Sequence, residues 1–200
     1  KVDSIFFDAI KISISSATLN GKPVRFVSTD TSVMVYPSPA LSWETTDSIV
    51  FVYEATPRKG LYFIGWNADV ASTKENGATR KQIWTQGQGI DNRAWIPMYD
   101  EMNDKFITET IVTFNKDYQV LSNGTKLSEK DNGNGTKTWH YTMTHPHAGY
   151  LLMLGIGNYA IDNRVSKSGV PVRLWYYPEF PERMIPTYRF STEAIDFLEE

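Results

Sequence analysis

Apolar and polar residues alternate with a period of two along much of the chain. In the segment 10–15, IKISIS, each isoleucine is followed by a lysine or a serine. Such alternation is typical of a strand with one buried and one exposed face. Val33 and Val35 repeat the pattern more weakly. The run IVFVY over 49–53 has no polar position, which predicts a strand covered on both faces.

Further short runs rich in β-branched and aromatic residues predict more strands, and turn signals separate them. Asn20-Gly21, Asn123-Gly124 and the segment DNGNG over 131–135 predict tight turns, because Asn and Gly tolerate positive φ. Many short strands at this spacing predict an all-β fold, an antiparallel β-sandwich. The further predicted strands are 61–64, 82–85, 106–114, 118–121, 125–130, 137–143, 150–156, 159–161 and 170–177.

The C-terminal segment changes to a helical period. The apolar positions at i, i+4, i+7 and i+8, which share one helix face, are Phe190, Ala194, Phe197 and Leu198. Pro186 suits the start of this helix. A helix with one apolar face needs a surface to lie against. It either covers the sandwich or begins a further domain, and we favour the second interpretation.

Composition and charge narrow the class of protein. Hydrophobic residues make up 41% of the 200 residues, which suffices for a buried core and excludes a disordered chain. The net charge is -3 with scattered Lys and Arg, so we expect no nucleic-acid partner. No apolar run reaches the roughly 18 residues of a membrane-spanning helix. Without cysteine, disulfides and thiolate metal sites are excluded.

The N-terminal segment says little about the compartment. It lacks the organisation of a signal peptide and starts at a strand without Met, so we expect the natural protein to be longer. The absence of Cys and the eleven Tyr and six Trp favour a periplasmic or secreted bacterial protein only slightly over a cytoplasmic one.

No complete metal or catalytic motif is visible. His145 and His147 would face the same way on a strand, but no carboxylate or thiolate completes a ligand shell, and HPHAG is typical of a loop. The acidic segment 100–104 could hold a cation, although a solvated loop tip is the simpler interpretation. H-E-x-x-H, G-x-S-x-G and phosphate-loop motifs are absent from the sequence. From the residues alone we therefore expect no native metal site, and no pair of carboxylates can be assigned acid and base roles.

The segment TQGQGIDNRAWIPMYDEMNDK over 85–105 fits neither a strand nor a helix. Gln86 and Gln88 flank Gly87, and in an extended segment both side chains would lie on one side. A glutamine carbonyl oxygen can accept a hydrogen bond from an ammonium group. From the residues alone, the pair is either a modest amine-binding site or two solvent-facing strand residues, and the second interpretation is favoured.

The aromatic content supports a different hypothesis. Sugar rings stack on exposed aromatic side chains, so the chain could be a stand-alone β-sandwich module that binds carbohydrate. Aromatic residues are also ordinary strand and core residues, and the sequence does not show which rings are exposed.

Five motifs follow one another along nearly the whole chain: GLYF (60–63), the segment 85–105, DYQVLSNG (117–124), HPHAGYLLMLGIGNYAI (145–161) and VPVRLWYYP (170–178). Their order and spacing resemble the N-terminal domain of the aminopeptidase N family, the gluzincin zinc aminopeptidases that include the leukotriene hydrolase branch. The positions that match the family's pattern in the second motif are Gln86, Gln88, Arg93, Trp95, Pro97, Met98, Asp100 and Lys105, with Met98 at a Cys-like position.

The resemblance implies a division of the chain. Residues 1–181 would form the saddle-like N-terminal β-sandwich domain, and residues 182–200 would begin the zinc-peptidase catalytic domain. The family's zinc ligands and glutamate base lie in that catalytic domain, where zinc polarises the peptide carbonyl and activates a water. The resemblance therefore implies zinc for the full-length enzyme, no zinc ligand here, and a fragment that is inactive alone.

The resemblance also implies a role for the glutamines. The N-terminal domain forms one wall of the cleft in which the whole enzyme removes N-terminal residues from peptides. The residue that matches Gln88 contacts the free α-amine or the first side chain of the substrate, and Gln86 matches a neighbouring glutamine. The expected partners are peptides with a free N-terminus and the catalytic domain itself. Arg93, Pro97 and Asp100 are expected to hold the segment's shape.

Overall fold

The structure is a computed structural model that describes residues 1–66, 74–75 and 78–199. Strands of 2 to 13 residues are followed by two eight-residue helices, and no helix in these residues is long and apolar enough to cross a membrane. The strands are β1 (Ile5–Asp8), β2 (Ile12–Leu19), β3 (Lys22–Pro23), β4 (Arg25–Ser28), β5 (Ser32–Tyr36), β6 (Ile49–Ala55), β7 (Gly60–Ile64), β8 (Lys74–Glu75), β9 (Ala78–Thr79), β10 (Gln82–Gln86), β11 (Lys105–Asn115), β12 (Gln119–Ser122), β13 (Thr125–Asp131), β14 (Thr136–Ala148), β15 (Leu154–Gly157), β16 (Ala160–Val165) and β17 (Pro171–Tyr176). The helices are α1 (Pro181–Tyr188) and α2 (Ser191–Leu198).

The first strands form one pair of stacked sheets, called here the first sandwich. Strands in the order β1-β5-β4 face strands in the order β3-β2-β6, and all of these pairs are antiparallel. Val33 on β5 and Ile12 on β2 are buried between the sheets. The rings of Phe7 and Phe51 meet edge to face with centroids 5.2 Å apart. The alternation predicted for residues 10–15 is confirmed, because Ile12 is buried and Ile14 is half-buried whereas Ser13 and Ser15 are exposed.

A second sandwich follows, built in the same way. The sheet β12-β15-β10-β7 packs on the sheet β11-β14-β13, again with antiparallel pairs throughout. Trp139 on β14 is 1% exposed and packs with Ile83, Val120 and Ile156 of the other sheet. The Tyr141 hydroxyl donates to the Val120 carbonyl oxygen at 2.7 Å, which satisfies a buried polar group. The predicted antiparallel β-sandwich is confirmed, and it occurs twice.

Strand β6 corrects the prediction of a strand covered on both faces. Phe51 and Tyr53 pack into the first sandwich, but Val50 and Val52 are 54% and 57% exposed. No second sheet lies over that outer face among the described residues. β-branched residues favour the strand conformation even where they stay exposed, so an apolar run alone does not show burial.

The segment 150–156 forms a strand only in its last part. Before β15, the residues Gly149–Leu151 form a 3₁₀ turn. Side-chain amides take up backbone groups that a neighbouring strand would otherwise bind. Asn92 donates to the Gly149 carbonyl oxygen at 2.7 Å, and Asn123 donates to that of Leu151 at 2.9 Å.

The first four residues of the HPHAG segment, 145–148, are strand and not the loop that the sequence predicts, and Gly149 begins the 3₁₀ turn. Strand β14 runs through these four residues, and its register against β11 shifts between the pairs Phe106–His147 and Thr108–Met143. Pro146 lies within this bulge, where its missing N–H removes no regular ladder hydrogen bond.

The helical period near the C-terminus is confirmed, but the segment forms two helices. Pro186 lies inside α1, and Pro181 occupies the helix start instead. A proline in the second turn removes one intrahelical hydrogen bond, which a short exposed helix can tolerate. Both helices contact the hairpin of β16 and β17: Arg164 donates to the Tyr188 carbonyl oxygen, and the Lys167 N–H donates to the Asp196 carboxylate at 2.7 Å.

Replacing Val33 by alanine should lower the free energy of unfolding by about 2 kcal/mol, because two fully buried methyl groups are lost and a cavity is left. Val50→Ala removes the same atoms from an exposed position and should change it by less than about 0.5 kcal/mol. Urea unfolding followed by circular dichroism measures both values. Equal losses in the two variants would contradict the faces described for the first sandwich.

Candidate functional site

A partly buried arginine between two buried carboxylates joins the two sandwiches. The Arg93 guanidinium donates to Asp8 Oδ1 at 2.8 Å and to the Asp100 main-chain carbonyl at 2.6 Å. Its Nε lies 3.4 Å from Asp100 Oδ2, which also accepts the Arg93 backbone N–H at 3.0 Å. Asp8 ends β1 in the first sandwich, and Asp100 precedes β11 in the second. The guanidinium fork thus ties the segment 92–100 to both.

Backbone hydrogen bonds reinforce this junction. Asp8 and Met98 exchange both of their N–H···O bonds, at 2.7 and 3.0 Å, and the Ile10 N–H donates to the Arg93 carbonyl at 2.8 Å. The expectation that Arg93 and Asp100 hold the shape of the segment is confirmed by these contacts. The same contacts show that the solvated-tip interpretation is wrong for Asp100, a residue that is 1% exposed and whose carboxylate is bound by the arginine.

The structure separates the two candidate glutamines by a change of backbone direction. Gln86 is the last residue of β10, and Gln88 stands in the turn that follows. The prediction that both side chains lie on one side required an extended segment, and the turn removes that premise. Both residues are exposed, and neither side chain has a hydrogen-bond partner among the described residues.

The turn that carries Gln88 is closed and anchored at its far end. The Asp91 N–H donates to the Gly87 carbonyl oxygen at 3.3 Å. The Asp91 carboxylate forms an ion pair with Lys59 at 2.6 Å, which connects the turn to the chain just before β7. Gly60 has a φ of +78°, and a Cβ there would lie 2.1 Å from the Asp91 carbonyl oxygen. Only glycine therefore allows the turn to approach β7 so closely.

The histidines do not form a shared site. In a regular strand His145 and His147 would lie on the same face. The bulge in β14 breaks this regularity, so His145 is exposed whereas His147 is buried. His140 instead contacts Glu109 on the neighbouring strand, at 2.6 Å. Within the residues that the structure describes, no group of three or more His, Asp or Glu side chains is gathered closely enough to hold a metal ion.

Three of the six tryptophans belong to the core, and Trp43 and Trp84 are exposed. Trp139 is buried, and Trp66 and Trp95 pack against the same cluster in the second sandwich. Trp84 is 38% exposed and stacks on Tyr62 of β7, with ring centroids 4.8 Å apart. The exposed rings are thus a minority of the aromatic content that motivated a carbohydrate hypothesis.

A cavity of about 320 Å³ lies between β17 and α1, away from the two glutamines. The Arg80 guanidinium carbon stands 3.6 Å from the Tyr177 ring centroid, and the Tyr177 hydroxyl donates to the Gln82 side chain. Burial raises the pKa of neighbouring Tyr159 well above its ordinary value, and Tyr177 adds to this effect. Because Gln82 begins β10 and Gln86 ends it, this cavity and the candidate glutamines lie at opposite ends of one strand.

The comparison with known proteins gives a consistent set of matches. The family model described as Peptidase M1 N-terminal domain matches residues 1–151. Glutamyl aminopeptidase of Homo sapiens is 26% identical over 160 residues, which cover 74% of this chain and 17% of that protein. Leucyl aminopeptidase of Saccharolobus solfataricus is 29% identical over 159 residues, which cover 78% of this chain and 18% of that protein.

Solved structures show the same fold. The crystal structure of an M1 zinc metallopeptidase from Deinococcus radiodurans superposes with a TM-score of 0.69 at 22% identity, over 86% of this chain and 39% of that one. The chain therefore spans less than a fifth of the two aminopeptidases and about two fifths of the metallopeptidase.

Two residues of this region were missed by sequence reasoning. Asp8 lies 85 positions before Arg93, and nothing local marks it as the arginine's partner. Asn92 is fully buried, yet an asparagine in a Gly-rich segment predicts only a turn. Asn92 precedes Arg93, which matches the family's pattern, but its burial is evident only from the structure.

Arg93→Lys should lower the free energy of unfolding by about 3 kcal/mol, because an ammonium group cannot replace the fork that binds Asp8 and Asp100 and leaves buried carboxylates poorly paired. The control is Arg25→Lys, an exposed arginine above the Tyr36 ring, for which we expect less than about 0.5 kcal/mol. Chemical denaturation of both variants measures the difference. A loss for Arg93→Lys as small as the control's would contradict the junction.

Proposed function

Because this chain belongs to the Peptidase M1 N-terminal domain family, we propose that it is the non-catalytic N-terminal domain of a zinc metallo-aminopeptidase that removes N-terminal residues from peptides. The family match over residues 1–151 carries the proposal. It is supported by the sequence similarity to glutamyl and leucyl aminopeptidases and by the fold shared with the M1 zinc metallopeptidase.

The domain forms one wall of the substrate cleft in this proposal, and Gln88 anchors the substrate's N-terminus. The supporting observation is an exposed amide at the tip of a turn whose ends are fixed. Its carbonyl oxygen can accept a hydrogen bond from the α-ammonium group, and its amide group can donate to a peptide carbonyl. A neutral amide orients the amine without neutralising it, so its contribution to binding is modest, about 1 kcal/mol. Gln86 is a neighbouring contact of the same kind.

The zinc and the groups that activate water belong, in this proposal, to a part of the protein outside residues 1–200. The described residues do not fit a zinc ion, since they offer no group of three His, Asp or Glu side chains. Phe190, Phe197 and Leu198 are 61%, 76% and 77% exposed along the predicted helix face. These side chains suit packing against a catalytic domain, with residues 182–200 as its beginning.

Carbohydrate binding is a second candidate function that one observation favours. Trp84 and Tyr62 stack on each other, and Trp84 keeps 38% of its surface exposed. Sugar binding that Trp84→Ala abolishes, measured by titration calorimetry after a glycan-array screen, would support this candidate. The family match favours the peptidase role.

Gln88→Ala in the complete enzyme should raise the KM for aminoacyl substrates with a free amino group by about fivefold, the equivalent of one hydrogen bond, and leave kcat nearly unchanged. N-acetylated substrates lack the ammonium group and should be affected little. Gln119→Ala, on β12 of the same sheet, is the matched control and should leave KM unchanged. A change in kcat alone would contradict the anchoring role.

The 200-residue chain produced alone should cleave no aminoacyl-nitroanilide and bind no stoichiometric zinc, whereas the complete protein should do both. Elemental analysis and a chromogenic assay on the two proteins provide the test. Activity or stoichiometric zinc in the short chain would refute the assignment as a non-catalytic domain.

A further inference from the structure

The turn that carries Gln88 needs support beyond its own backbone. A single hydrogen bond of 3.3 Å, from the Asp91 N–H to the Gly87 carbonyl, closes it. Gly87 and Gly89 lie on either side of Gln88, and glycine restricts the backbone less than any other residue. A side chain displayed from such a turn would sample many positions unless neighbouring groups hold the turn in place.

Asn92 supplies that support directly after the turn. Its side chain is fully buried, and both ends of its amide are engaged. Nδ2 donates to the Gly149 carbonyl oxygen at 2.7 Å, and Oδ1 accepts the Trp95 indole N–H at 2.8 Å. Rotation of the amide would break two buried hydrogen bonds together, so its orientation is strongly restrained.

The restrained amide lies flat against the start of the turn. A Cβ placed on Gly87 would be 2.3 Å from Asn92 Nδ2 and 2.6 Å from its Cγ and Oδ1. No side chain fits between them, so the Gly87 backbone rests on the Asn92 amide. At the other end, Asp91 is held by the ion pair with Lys59 and by the close approach of Gly60. Both ends of the turn are therefore fixed while Gln88 stays exposed.

We propose that Asn92 is a positioning residue that fixes the direction of Gln88 towards the substrate's amino group. This inference rests on the proposed function of Gln88. Asn92 touches no substrate in this account. It acts through Gly87, whose backbone leads directly into Gln88, and it links the turn to the loop around Gly149. Pre-organised side chains bind with a smaller loss of conformational entropy, and that gain appears in substrate binding.

The test uses Asn92→Ala, Gly87→Ala and Gln88→Ala in the complete enzyme, with Asn92→Ala and Gly87→Ala each also combined with Gln88→Ala. Asn92→Ala and Gly87→Ala should each raise KM for free-amine substrates by up to about fivefold, no more than the loss of Gln88 itself, with kcat nearly unchanged. In the Gln88→Ala background they should add nothing, because no side chain remains to be positioned. The combined effect should therefore stay near fivefold instead of about twenty-fivefold.

Tyr141→Phe is the control for loss of stability alone. It removes one buried hydrogen bond, to the Val120 carbonyl, from the core of the same sandwich, and it should leave KM unchanged. Gly87→Ala keeps the test open if Asn92→Ala does not fold. Multiplying effects in the double variants, or an unchanged KM in Asn92→Ala and Gly87→Ala while Gln88→Ala raises it, would overturn the positioning role alone. An unchanged KM in Gln88→Ala would instead overturn the proposed function of Gln88.

Discussion

The junction around Arg93 is the constraint on which the rest of the structure depends. One partly buried guanidinium lies between two buried carboxylates, so the side chains alone would leave a negative charge in excess. Backbone N–H groups offset it: that of Arg93 donates to Asp100, and that of Asp100 donates to Asp8 at 3.2 Å. Buried charges are stable only when paired and hydrogen-bonded in this way. The arrangement fixes where the two sandwiches meet and where the segment 92–100 runs.

The contacts at this junction determine the geometry of the candidate site around Gln88. Asn92 precedes Arg93 in the chain, and the turn with Gln88 precedes Asn92. The Arg93 contacts fix the path of the segment 92–100, and the Asn92 amide packs against Gly87. The turn that begins at Gly87 then exposes Gln88 in a defined direction. An exposed residue is thereby held by buried ones. This is the usual way in which a rigid scaffold gives a loop residue a defined direction.

The sequence predicts what depends on neighbours along the chain and misses what depends on neighbours in space. Alternating residues predict the strands, and Val33 and Val35 prove fully buried, since a period of two is a local property. Whether a face is covered is not local, which is why the valines on the outer face of β6 are exposed. The pairing of Asp8 with Arg93 spans 85 positions and carries no local signal. Gln88 is a candidate because its segment resembles a family motif. The contact between the Asn92 amide and Gly87 is evident only from the structure.

The distance along the chain between Asp8 and Arg93 also orders events in time. The last strand of the first sandwich, β6, ends at Ala55, so during translation its residues leave the ribosome before Arg93 and Asp100 do. Until then the Asp8 carboxylate lacks the guanidinium that it pairs with in the folded chain. The apolar faces of the first sandwich can pack early. The sandwich reaches its final form only when the segment 92–100 has been synthesised and binds Asp8.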